Sequence, residues 1–161
     1  MNTTVASPPA GGQAGLRGAV VGDTRLSSIN GEEGKLIYRG IDIHDLARAS
    51  TFEEVAYLLW FGALPSQQHL DELRTRLNQN RRLPKELLAI LRDLPSDGAP
   101  MDALRTAVSA LGLLDPKVND NSPEAQIEKS IRLAALFPTI LAAYYRLSQG
   151  GEPIDPAPNL D

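Results

Sequence analysis

Residues 133–145 read LAALFPTILAAYY and are bracketed by Arg132 and Arg146. A run that is apolar on every side is stable as a helix only if other helices, or another subunit, cover it all round. A bilayer is not the cover, because a membrane span needs about 20 such residues and this run is shorter. The chain is therefore expected to be mostly α-helical and assembled around this segment. Ser122 and Pro123 supply a cap and a first-turn proline, so the helix is predicted to begin there and to reach about Gln149. Pro138 lies inside it, lacks an amide hydrogen and crowds the carbonyl of Ala134, which predicts a kink.

Upstream, PMDALRTAVSALG at 100–112 repeats Met101, Leu104, Ala107, Val108 and Leu111 at helical spacing, with Gly112 as the expected stop. Pro84 opens another helix with Leu87, Leu88 and Leu91 inward and Pro95 beyond its end. Ser66 caps a third, whose stripe is Leu70, Leu73 and Leu77 and which dies out at NQNRR. Ser50 and Glu53 form an S-x-x-E capping box for TFEEVAYLLWFG, closed by Gly62, with Phe52, Val55, Ala56, Leu59 and Trp60 on one face. Asp42 caps IHDLARA. Before Gly40 the pattern changes. AVVGDTRLSSINGEEGKLIYRG places β-branched or alternating residues on both sides of the turn-rich NGEEG, and one short antiparallel hairpin is predicted between about Val20 and Arg39.

The ends are of different character. Residues 1–14, MNTTVASPPAGGQA, have neither a basic start nor an apolar run and read as a disordered tail rather than a signal or anchor. Residues 15–149 form one helical unit, and 150–161, with a Gly-Gly pair and three prolines, read as a connector. The 161-residue length and 42% hydrophobic content suit a single core. A formal charge of −4 gives no global attraction to nucleic acid or to an anionic membrane. The local exception, Arg74, Arg76, Arg81, Arg82 and Lys85, could contact phosphate, but a solvated helix face accounts for it. Without cysteine there is no disulfide frame, thiolate metal site or cysteine nucleophile, which fits a cytoplasmic setting.

Catalysis from first principles needs titratable groups brought together in a cleft, and histidine is the usual one. Only His44 and His69 are present. His44 falls in the first turn after Asp42, His69 at the edge of the Leu70 stripe, and both read as surface residues. Asp45 and Asp71 are first-turn acids that complement a helix dipole. Metal-ligand spacing is absent, and GGQAGLRG is not set in a strand–loop–helix unit that would cradle phosphate. No catalytic, cofactor-binding or metal residue is assigned on these grounds.

Taken together, five stretches resemble the amino-terminal part of bacterial and archaeal citrate synthases, including the 2-methylcitrate synthases. GLRGAVVGDTRLS looks like the family's opening strand, KLIYRGIDIHDLA like its second strand and the passage into the first helix, and TFEEVAYLLWFGALP like the next helix. PMDALRTAVSALG and FPTILAAYYRLSQGGEPIDP are similar to two core helices that follow, in family order from Gly15 to Asp161. The resemblance implies the helical large domain of that fold. It also implies that the family chain continues well past PAPNLD and that its catalytic histidines and aspartate lie there, so no site residue carries over to this chain. Acetyl-CoA is then a substrate of the complete family enzyme, condensed with oxaloacetate, and no cofactor is expected on this portion. Many relatives have a histidine before the Pro-Met of the 100–112 block, where this chain has Ala99. Tyr38 and Arg39 either close a loop or bring Arg39 toward a ligand.

The excess apolar surface of 100–112 and 123–149 predicts a homodimer through those helices, as the family pairs through core helices. Three functional readings stay open: a portion of a citrate synthase that is inactive alone, a non-catalytic dimerisation or regulatory subunit working with a full-length synthase, and one half of a split enzyme completed by a carboxyl-terminal chain.

Overall fold

The computed structural model describes residues 23–157. The predicted tail at 1–14 and the start of the first expected strand lie outside the described residues. Among the described residues the chain runs β1 (Ser27–Asn30), β2 (Lys35–Tyr38), β3 (Ile41–Asp42), α1 (Ile43–Ala49), α2 (Phe52–Phe61), α3 (Gln67–Asn80), α4 (Lys85–Asp93), α5 (Pro100–Leu114) and α6 (Pro123–Ser148). The protein is mostly α-helical, with a small antiparallel sheet at its amino-terminal side.

The hairpin is where the turn chemistry puts it. Asn30 Oδ1 accepts the amides of Glu32 and Glu33, Gly34 takes a φ of 63°, and Ser28 and Ile29 stand opposite Ile37 and Leu36. The sheet has a third strand that the sequence reading lacked: β3 pairs with β2, Tyr38 opposite Ile41, in the place where helix was expected to start directly. Arg39 and Gly40 make the tight turn with φ of 48° and 88°, and an arginine is not the residue that announces a two-residue turn of positive φ. Its backbone amide on the Leu26 carbonyl, at 3.0 Å, and its guanidinium on the Leu59 carbonyl, at 2.8 Å, hold it in that conformation.

Asp42 caps α1 as predicted, its carboxylate accepting the His44 amide. The capping box of α2 is one residue later than expected. Thr51 and Glu54 form it, and the Ser50 amide instead ends α1 on the Leu46 carbonyl. STFEE contains both S-x-x-E and T-x-x-E, and only the end of the preceding helix selects between them. The buried side chain of α2 is Leu58, at 1% exposure; Phe52 is 68% exposed rather than inward. Gly62 closes α2 in the left-handed conformation, as predicted. α5 runs past Gly112 to Leu114, because that glycine is not in the left-handed conformation a helix stop would use. Met101 is 67% exposed and Leu88 half-buried, so both leave the stripes assigned to them.

Two apolar clusters share α6. Leu87 and Leu91 of α4 and Leu104, Ala107 and Leu111 of α5 pack on Leu136, Ile140, Ala143 and Tyr144. On the other side Leu73 and Leu77 of α3 pack on Ile131 and Ala135, flanked by Tyr57 and Trp60 of α2. α6 remains helical on both sides of Pro138. Beyond it Gly150 turns with a φ of 74°, the Gly151 amide donates to the Arg146 carbonyl at 2.8 Å, and residues 151–157 run back over the bundle.

Candidate functional site

An apolar groove lies between α2, α3, α6 and the returning segment, with a volume of about 490 Å³. Its floor is the small-residue side of α6, Ala134, Ala135, Pro138 and Ala142, and Leu77 and Phe52 form its walls. Glu53, Arg81 and Asp155 supply charge, and Ile154 lines it from the returning segment. Beside it Phe137 and Tyr145 are exposed on α6 and extend the exposed Pro138 and Ala142 of its floor into an apolar stripe on a helix already buried on two other sides. Such a surface suits a covering polypeptide better than a small polar substrate.

The predicted candidates are not gathered in that groove. His44 stands exposed on α1, its Nδ1 3.0 Å from Asp42 Oδ1. The amide of His44, and then its ring, hold the Asp42 carboxyl below the usual carboxylate range. His69 donates its backbone amide to Ser66 Oγ and stacks its ring on Tyr57, with centroids 5.8 Å apart. Asp71 accepts from Gln67 Nε2 rather than meeting His69. Among the described residues no group of three or more His, Asp or Glu side chains is placed to hold a metal ion, and no helix is long and apolar enough to cross a membrane.

The basic cluster is largely used inside the fold. Arg76 pairs with Glu128 at 2.6 Å, Arg82 with Asp155 at 2.8 Å and Lys85 with Glu86 at 3.9 Å. Arg39 follows the loop-closing reading, tying the sheet to α2 through the Leu59 carbonyl. Ala99 sits at the N-cap of α5 and offers no side-chain bond to the first turn. Sequence reasoning missed the long-range contacts, the Arg76 and Arg82 pairs among them. Tyr144 donates its hydroxyl toward the carbonyls of Pro95 and Gly98, and Arg92 grips Glu152 with both terminal nitrogens. That arginine holds the Glu152 carboxyl below its usual value, and Arg92 is raised in return. The individual residues gave no signal for these pairs, which are 46 or more positions apart.

A family model described as "Citrate synthase, C-terminal domain" matches residues 15–161. The chain belongs to the citrate synthase family. A citrate synthase of Deinococcus radiodurans is 43% identical over 146 residues, covering 91% of this chain and 39% of the relative. A 2-methylcitrate synthase of Shewanella oneidensis is 43% identical over 142 residues, covering 88% and 37%. Among solved structures, citrate synthase from Thermotoga maritima superposes with a TM-score of 0.78 at 40% identity, covering 91% of this chain and 37% of that one. The all-helical fold with its small sheet is thus that of citrate synthases, and the chain spans about two fifths of the length of the relatives it matches.

Proposed function

We propose that this chain supplies the early helices of a citrate synthase, and that condensation of acetyl-CoA, or a related acyl-CoA, with oxaloacetate belongs to the complete protein. The observation that carries this reading is the mismatch of coverage. The family match takes in 91% of this chain but only 39% of the Deinococcus relative. The inventory agrees with it. Thioester condensation needs a base at the methyl group, a donor at the developing enolate oxygen and a cationic grip on two carboxylates. Here His44 is engaged with Asp42, His69 with Tyr57, and neither lines the groove. The chain alone is inactive on this reading, and the groove floored by Ala134, Pro138 and Ala142 is the face on which the rest of the synthase packs. A cytoplasmic setting goes with it, as does the lack of cysteine.

The test is a thiol-detection assay with acetyl-CoA, propionyl-CoA and oxaloacetate. The 161-residue chain should release no free CoA above the blank, and adding a carboxyl-terminal portion from a relative should restore oxaloacetate-dependent release. Turnover by the chain alone would overturn the reading, and His44→Ala and His69→Ala would then locate the base.

A non-catalytic pairing subunit is the second reading, favoured by the exposed stripe of Phe137, Ala142 and Tyr145. It is distinguished by mixing. A pairing subunit should form mixed dimers with a full-length synthase and change its activity, whereas a portion of the enzyme should gain activity only from the missing part.

A further inference from the structure

Residues 151–157 cross the side of the groove without a single fully buried side chain; of the apolar residues that line it, Pro156 is half-buried, Ala157 is exposed and Ile154 is 70% exposed. Apolar burial therefore contributes little to holding this segment down, and its long-range polar contacts are all with charged side chains. Arg92 of α4 makes a two-pronged contact with the Glu152 carboxylate, and Arg146 of α6 donates from Nε to the Glu152 carbonyl. Arg82, from the turn between α3 and α4, donates to Asp155 Oδ2 at 2.8 Å. Three arginines from three places in the bundle thus converge on two acids spaced three apart, with Ile154 between the anchors. Gly150, at a φ of 74°, supplies the hinge, because only a residue without a Cβ takes that conformation freely.

We propose that residues 151–157 form a salt-releasable strap that closes one side of the groove, held by Arg82, Arg92 and Arg146 and free to lift about Gly150 while the helices stay folded. Solvent-exposed ion pairs of this kind are weak one at a time and are screened as salt rises, so two of them, with the Arg146 hydrogen bond to the Glu152 carbonyl, give one short segment a closure that reverses easily. When the strap lifts, the Ala134, Pro138 and Ala142 floor is open along its whole length.

The chain has no cysteine, so a single Ile154→Cys carries a nitroxide label cleanly. Its electron paramagnetic resonance spectrum is to be recorded in the full chain at low salt, near 1 M salt, and in Arg92→Gln and Glu152→Gln backgrounds, with circular dichroism on every sample. The label should be motionally restricted at low salt. Its mobile-to-restricted ratio should rise about two- to fivefold in either variant, and at least as much in high salt, with unchanged helix content. The exchange of charges in Arg92→Glu with Glu152→Arg should bring the restricted spectrum back. A label equally mobile, or equally restricted, in all conditions overturns the proposal. So does loss of helix content in step with release, since the segment would then be part of the cooperative fold rather than a strap.

Discussion

Tyr144 sends a buried ring from α6 to a loop between α4 and α5, where its hydroxyl lies 2.7 Å from the Pro95 carbonyl and 3.0 Å from that of Gly98. One hydroxyl has one proton to share between two acceptors, so its removal takes that donor from the Gly98 carbonyl and leaves the Pro95 carbonyl with the Gly98 amide at 3.3 Å. Tyr144→Phe should lose about 1 kcal/mol in urea unfolding, with the slope of the transition unchanged. Gly98 is explained by the same contact: a Cβ there would stand 2.7 Å from the Tyr144 hydroxyl, and a ring wedged into the core has nowhere to retreat. Gly98→Ala should therefore destabilise the wild-type protein, and should cost clearly less when combined with Tyr144→Phe. One residue further on, Ala99 leaves the first turn of α5 without a side-chain acceptor. Ala99→Ser or Ala99→Asp should raise stability by about 0.5–1 kcal/mol, read as an upward shift in the urea midpoint.

At the level of the element, the position of each cap decides which substitutions matter. Thr51→Ala should cost about 1 kcal/mol and Ser50→Ala far less, because Thr51 accepts the Glu54 amide while Ser50 contributes only its backbone to the end of α1. Asp42 makes its cap depend on pH. Its folded pKa lies below the ordinary carboxylate value of about 3.9, so the cap is fully present above that value and is lost as pH falls through the folded one. Hydrogen exchange at the His44 amide should accelerate relative to its intrinsic rate only below about pH 4, and Asp42→Asn should abolish that dependence. Caps at Asp42, Ser66 and Ser122 and the stop at Gly62 were legible in the sequence because each acts on a backbone group within four residues. The stripe of Leu70, Leu73 and Leu77 was legible for a similar reason, periodicity within one helix. β3 was not, since it exists through a turn built on Arg39, nor was the inward choice of Leu58, which depends on the helices packed against α2. The arginines that seize Glu152 and Asp155 left no trace either. An ion pair across 60 or 73 residues has no local pattern.

Across the whole molecule, α6 is buried against α3 on one side and α4 with α5 on the other, yet still exposes Phe137 and, at 66%, Tyr145. A stable dimer buries about 800 Å² on each partner, and an exposed apolar helix stripe is the natural centre for it. The chain should sediment as a dimer at micromolar concentration, and Phe137→Asp with Tyr145→Asp should give a monomer of unchanged helix content; a monomer from the start would count against pairing through this face. The same helix has a consequence for how the protein is born. α6 is the last helix among those described and a member of both clusters, so α2 with α3, and α4 with α5, leave the ribosome able to touch in pairs but unable to close either core. From Leu73 to Ile131, synthesis at about 5–20 residues per second takes roughly 3–12 seconds. During that interval the leucines of α3 have only Tyr57 and Trp60 of α2 beside them and lack the α6 half of their cluster; protease resistance should appear abruptly, only once the end of α6 has cleared the exit tunnel.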